Sequence, residues 1–168
     1  MQRILLLLYV FSLFLTGCGG QQKPPGMPKL YPVTISVVQD GKPLPEAVVT
    51  LIPEETGNQW SSGGITDAKG KLTLMTYGQF PGVPAGKYKV CISKQELVGE
   101  MDYSDPASPK GNRQVFEVVD PVFKSGSTTT LEMEVSPQGK NNVGFDVGKS
   151  VRIEAAAPPG TQQSPVFQ

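Results

Sequence analysis

From residue 33 onward the chain alternates apolar and polar side chains with a period of two. VTISVVQ places Val33, Ile35 and Val37 on one face, the spacing of a strand with one buried side. DGKP then supplies a turn. AVVTLI puts Ala47, Val49 and Leu51 on one side and Val48 and Ile52 on the other. A strand apolar on both sides is expected to be central in its sheet or covered. Ser61 to Thr66 can form a short strand, followed by DAKG, whose Asp67 can bond nearby backbone N–H groups and whose Gly70 can take a positive φ. KLTLMT alternates Leu72 and Leu74 against Thr73, and KYKVCIS alternates Tyr88, Val90 and Ile92 against Lys87, Lys89 and Ser93. After a long polar loop come QVFEVV, then TTLEMEV with Leu131, Met133 and Val135 in register, then NVGFDVG with Val143, Phe145 and Val147 in register. No segment keeps a helical period. The pattern predicts an all-β chain, an antiparallel β-sandwich of about seven strands.

Composition agrees with many short strands, since 19 Gly and 16 Pro among 168 residues favour turns. That length suits one domain with tails. Fifteen Lys plus Arg balance fifteen Asp plus Glu. A polyanion binder carries a basic excess or stripe, so nucleic acid is not an expected partner. The chain has no histidine, which removes the commonest general base and the commonest metal ligand. No cofactor or metal site is expected.

The N-terminus carries the most specific chemistry. Arg3 precedes twelve apolar or small residues, Ile4 to Leu15. As a helix they would span about 18 Å, short of the roughly twenty residues a bilayer span needs. Those are the proportions of a secretory signal. The run ends in Leu15-Thr16-Gly17-Cys18, which resembles the lipobox of bacterial lipoproteins. The resemblance implies that residues 1–17 are a signal peptide, that the Cys18 thiol receives a diacylglyceryl group, and that Cys18 becomes the first residue of the mature protein. Membrane lipid is then a partner through acylated Cys18. Gly19 follows, with no aspartate to suggest inner-membrane retention, so the outer membrane or cell surface is the expected location. With Cys18 acylated, Cys91 is a single thiol with no disulfide partner and no histidine to activate it. It is expected to be a packing residue.

Residues 18–32 include GGQQKPPGMPKLYP and read as a flexible tether. Residues 149–168, rich in Pro and Gln towards the end, read as a disordered tail. Between them, 33–148 is the expected folded domain. Within it, DGKPLPEAVVTLIPEE, SSGGITDAKGKLTLMT and VPAGKYKVCISK resemble the carboxypeptidase regulatory-like, or transthyretin-like, domain. Matching positions are Asp40, Gly41, Pro43, Leu44, Ala47, Val49 and Leu51, then Thr66, Asp67, Gly70, Leu72 and Leu74, then Pro84, Gly86, Tyr88 and Val90. Leu72 stands where the family often has Phe. The resemblance implies a transthyretin-like sandwich and a module without its own catalysis.

The one enzyme class of that fold, the hydroxyisourate hydrolases, depends on histidines and a Tyr-Arg-Gly-Ser ending, and neither occurs here. Carboxylates remain, with Glu54 beside Glu55 and with Asp102 and Asp105 in GEMDYSDPASPKGN. They lack Ca²⁺-loop spacing and read as solvated charge. Trp60, Tyr77, Phe80 and Tyr103 fall in predicted loops, where aromatics can stack on sugars or seat a protein. The expected function is a lipid-anchored, non-enzymatic structural or protein-interaction module of the cell envelope. The alternative is a carbohydrate- or peptide-binding lipoprotein using those four aromatics, so an envelope protein or a glycan is the expected further partner.

Overall fold

A computed structural model describes residues 22–55, 57, 59–102, 104, 110–139 and 141–155. Its strands run, in chain order, β1 Leu30–Tyr31, β2 Val33–Gln39, β3 Lys42–Pro43, β4 Val48–Pro53, β5 Ser62–Ile65, β6 Lys71–Thr73, β7 Met75–Thr76, β8 Phe80–Pro81, β9 Val83–Pro84 and β10 Gly86–Ser93. They continue with β11 Gln95–Val98, β12 Met101–Asp102, β13 Lys110–Gly111, β14 Gln114–Glu117, β15 Glu132–Val135, β16 Asn141–Asp146 and β17 Ile153–Glu154. One 3-10 turn, Pro121–Phe123, lies between β14 and β15, and no α-helix occurs among the described residues. None of those residues forms a helix long and apolar enough to cross a membrane.

Two larger sheets share one core. The first has the order β15-β10-β4-β5-β7-β8, and the second is β16-β2-β3 with β6 also on β2. Register explains the core from the sequence. Val49 pairs with Ile92, Leu51 with Val90 and Tyr88 with Met133, so these side chains share the inner face of the first sheet. Val143 pairs with Ile35, Phe145 with Val37 and Leu72 with Ile35, giving the inner face of the second. All belong to one hydrophobic cluster, most of them fully buried. Each such side chain contributes about 1.5–3 kcal/mol relative to exposure.

Polar groups inside the fold are matched. The Tyr88 hydroxyl, deep in the core, donates to the Pro84 carbonyl at 2.9 Å. Thr66 Oγ1 donates to the Leu44 carbonyl at 2.7 Å and accepts from the Ala47 N–H at 2.8 Å. Thr66→Val keeps the shape but orphans both backbone groups. It should therefore cost about 2–3 kcal/mol in denaturant unfolding, whereas Thr66→Ser should cost about 1 kcal/mol.

Asp67 Oδ1 accepts from the N–H groups of Lys69 and Lys71, both at 2.8 Å. Those bonds, the Lys71 one foremost, hold its carboxyl below the usual range. Glu117 is buried on β14. Burial alone would raise its pKa, but hydrogen bonds from Lys124 and Gln95 prevail and lower it. Both carboxyls are thus more acidic folded than unfolded. Their stabilisation is complete above the unfolded values near about 4 and is lost as pH falls through the folded ones. The acid limb of thermal stability below about pH 5 should be flatter in Glu117→Gln than in the parent.

Several sequence expectations need correction. The sheets are not purely antiparallel, because β16 runs parallel to β2 over six register pairs from Asn141↔Val33 to Asp146↔Val38. KLTLMT is two strands, not one. Leu74, fully buried, is the corner where the chain leaves β2's sheet and enters β5's as β7. β4 is central in its sheet, one of the two expected placements, and Val48 and Ile52 on its outer side stay 43% and 41% exposed. The fold also extends past residues 33–148. Leu30–Tyr31, from the expected tether, pairs with Val83–Pro84. Ile153–Glu154, from the expected tail, pairs with β14, and the Arg152 guanidinium lies 4.1 Å from the centre of the Phe116 ring. Backbone bonds from Val151 to Val118 and from Ala155 to Val115 complete that seam.

Candidate functional site

The outer side of the first sheet, open over β4 and β5, carries the most distinctive surface. Val48 pairs with Ile65 and Thr50 with Gly63, so these four point outward together from β4 and β5. Alternation sends Val49 and Leu51 inward, where they are buried. Position 63 has no side chain for a structural reason. A Cβ there would sit 2.5 Å from the Val49 carbonyl oxygen, inside van der Waals contact. The sheet therefore has a bare floor at Gly63. Val48, Thr50, Ser61, Ile65 and Tyr77 surround it, making a shallow trough of about 280 Å³. No charged residue lines it. Ile65 is 61% exposed and Tyr77 43%.

Tyr77 is held by unusual backbone. Thr76-Tyr77-Gly78-Gln79 joins β7 to β8, with φ of 53° at Tyr77 and 66° at Gly78, and the Gln79 N–H donates to the Thr76 carbonyl at 3.2 Å. Two positive φ values at the centre of this hydrogen-bonded turn, within the three-residue loop 77–79, have the φ signs of a type I′ turn, in which Asn or Asp usually occupies the first position. A bulky residue there is strained. The Tyr77 N–H donates to Ser61 O at 2.8 Å and its hydroxyl to Gln59 O at 3.1 Å, fixing the ring against the 59–61 segment. Trp60 lies in that segment, half-buried, with its ring centroid 5.5 Å from that of Tyr77 and the planes tilted by 56°.

Of the four aromatics expected to contact a ligand, the fold brings Trp60 and Tyr77 together and removes Phe80. Phe80 is not a loop residue. It pairs with Thr76 in β8 at the sheet edge and is 6% exposed, so its ring cannot meet a ligand. Tyr103 and the acylation candidate Cys18 lie outside the described residues. Glu54 and Glu55 are exposed, Asp102 sits on β12, and Asp105 lies outside the described residues. Among the described residues no three Cys, Asp or Glu side chains gather as a metal set. Cys91 is buried, and burial pushes its thiol above the usual range.

Sequence reasoning missed the trough itself. Two signals pointed to it: Val48 and Ile52 on the second side of β4, and the glycine pair in SGGI. The alternation pattern treated the first as a sign of a central or covered strand and left the second without a role.

No protein-family profile matches this chain, and no curated protein does either. Among solved structures, a 9R-lipoxygenase from Cyanothece PCC8801 aligns with 86% of this chain at 12% identity and a TM-score of 0.32. The aligned part is 20% of the lipoxygenase's own length, and a likeness that slight carries no argument about fold or activity.

Proposed function

We propose that this chain is a lipid-anchored, non-enzymatic β-sandwich of the bacterial envelope that acts as a protein-interaction module. Acyl chains on Cys18 hold it at the outer membrane or cell surface, and its fold is of the transthyretin-like, carboxypeptidase regulatory-like kind. The observation that carries the interaction reading is the open side of the first sheet. Val48, Ile65 and Tyr77 leave apolar surface in water there, around a trough without charge. A contiguous apolar patch on a folded protein marks a contact site more often than an accident of packing. The anchor adds what such a module needs, since it confines the face to the membrane surface, where a partner's local concentration is high.

Photocrosslinking in intact cells tests this. A photoreactive residue at Ile65 should form one discrete adduct with an envelope protein. The same residue at Asn142, on the outward side of the second sheet, should form none. Equal labelling from both positions would overturn the reading.

The Trp60–Tyr77 contact favours a second reading, carbohydrate binding, because paired, partly open aromatics can stack on sugar rings. Glycan-array signals that vanish in Trp60→Ala and Tyr77→Ala would establish it in place of the first.

A further inference from the structure

We propose that the trough over Gly63 seats a short, extended, uncharged peptide segment of a protein partner, with aliphatic side chains lying between Val48, Ile65 and the Tyr77 ring. The inference rests on the interaction-module reading and names the partner chemistry that the face selects. Three observations converge on it.

The first is charge. No lysine, arginine, aspartate or glutamate lines the trough. The ion pair on the same sheet, between Lys89 of β10 and Glu132 of β15, satisfies itself. A charged segment would lose hydration on entering and meet no counter-charge.

Hydrogen-bonding capacity is the second. The Tyr77 hydroxyl is donated to Gln59, and the Ser62 hydroxyl, on the inner side of β5 opposite Leu51, is bonded to Thr76. Binding a sugar requires several convergent polar groups, and here the trough is left with the Thr50 and Ser61 hydroxyls as its side-chain donors. The lining offers mostly aliphatic and aromatic surface and glycine backbone instead.

The third is area. From the fractions of their surface left open, Val48, Ile65 and Tyr77 together present on the order of 300 Å². A stable interface between two folded copies needs about 800 Å² on each partner. The patch fits one segment laid along β5 better than a second copy of the chain. The Tyr77 turn adds independent weight. Asparagine would satisfy the backbone of such a turn at less strain, so the Tyr77 ring stands at the trough at a local cost.

Trp60, the single tryptophan of the chain, stands against Tyr77 at the trough and reports on occupancy. The test uses the full acylated protein in phosphatidylcholine nanodiscs and follows tryptophan emission. The probes are acetyl-GVTITVG-amide, its charged counterpart acetyl-GKTETKG-amide, and chitohexaose. The neutral apolar peptide should shift the emission saturably, and the charged one should bind at least about tenfold more weakly. Ile65→Arg and Tyr77→Asn should each weaken the neutral peptide by about tenfold while melting stays within about 5 °C of the parent. Equal binding of the two peptides, a response to chitohexaose alone, or retention of peptide affinity in both variants would overturn the proposal. Failure here is separable from failure of the wider reading. An Ile65 adduct with an envelope protein and no peptide affinity would sink the trough's role and leave the module intact.

Discussion

Gly70→Ala should lower the free energy of unfolding by about 3 kcal/mol or more. Gly70 has φ of 68°, a left-handed conformation that costs any side-chain-bearing residue roughly 1–2 kcal/mol. Space is the larger obstacle. A Cβ at position 70 would lie 2.6 Å from the Val37 carbonyl oxygen and 2.9 Å from the Leu44 nitrogen. Those two atoms are bonded to each other at 2.9 Å, and the Val37 N–H donates to the Gly70 carbonyl at 2.8 Å. Backbone cannot swing aside as a side-chain tip can, so the methyl would have to open the seam between β2 and β3. Gly41 supplies the matched control. Its φ is 71°, but nothing lies within 4 Å of a Cβ built there. Gly41→Ala should therefore cost only the strain, about 1 kcal/mol, and Gly41→Asn less. Urea unfolding of the three variants measures the contrast. Equal losses at positions 41 and 70 would refute the close approach.

Exchanging residues 1–18 for an ordinary secretory signal with an A-x-A cleavage site should move the protein from the membrane to the soluble envelope fraction. Each buried methylene contributes about 0.8 kcal/mol. A single acyl chain therefore binds marginally, and two or three hold the protein stably. Ile4 to Leu15 is too short to replace them as a stable span. Carbonate washing followed by detergent-phase partition reads the effect. The parent should remain with the membrane and enter the detergent phase, and the exchanged chain should do neither. Retention of the exchanged chain on washed membranes would mean that something other than acyl chains on Cys18 holds the protein.

What the sequence revealed follows from what period two encodes. Val33, Ile35 and Val37 alternate with Thr34 and Ser36, and a half-buried strand is the conformation that satisfies this pattern, so β2 could be read residue by residue. The same held for the inward set of β4 and β10, and for the turns at Asp40-Gly41 and at Gly70, where glycine and φ sign go together. Leu74 was opaque because alternation continues smoothly through it, although the chain changes sheets there, and only pairing partners reveal a corner. Phe80 looked like loop because it sits among Gly and Pro. Its burial depends on Thr76 across a two-residue pairing that no local pattern encodes. Ile153 and Arg152 joined the fold through β14, which lies more than thirty residues upstream. At the candidate site, Trp60 and Tyr77 were legible as aromatics in turns. Their meeting was not, because it rests on the bond from the Tyr77 N–H to Ser61. The bare floor at Gly63 was hidden for a related reason, since the glycine is demanded by the Val49 carbonyl of a neighbouring strand.

The proposed function depends on a lipid at position 18, which would hold the open apolar face at a membrane. Intact-mass analysis of protein extracted from native membranes tests it most directly. The account predicts a chain that begins at Cys18 and carries the added mass of a diacylglyceryl group, with or without a further acyl chain on its amine. A chain that retains residues 1–17, or one with an unmodified Cys18 thiol, would contradict it.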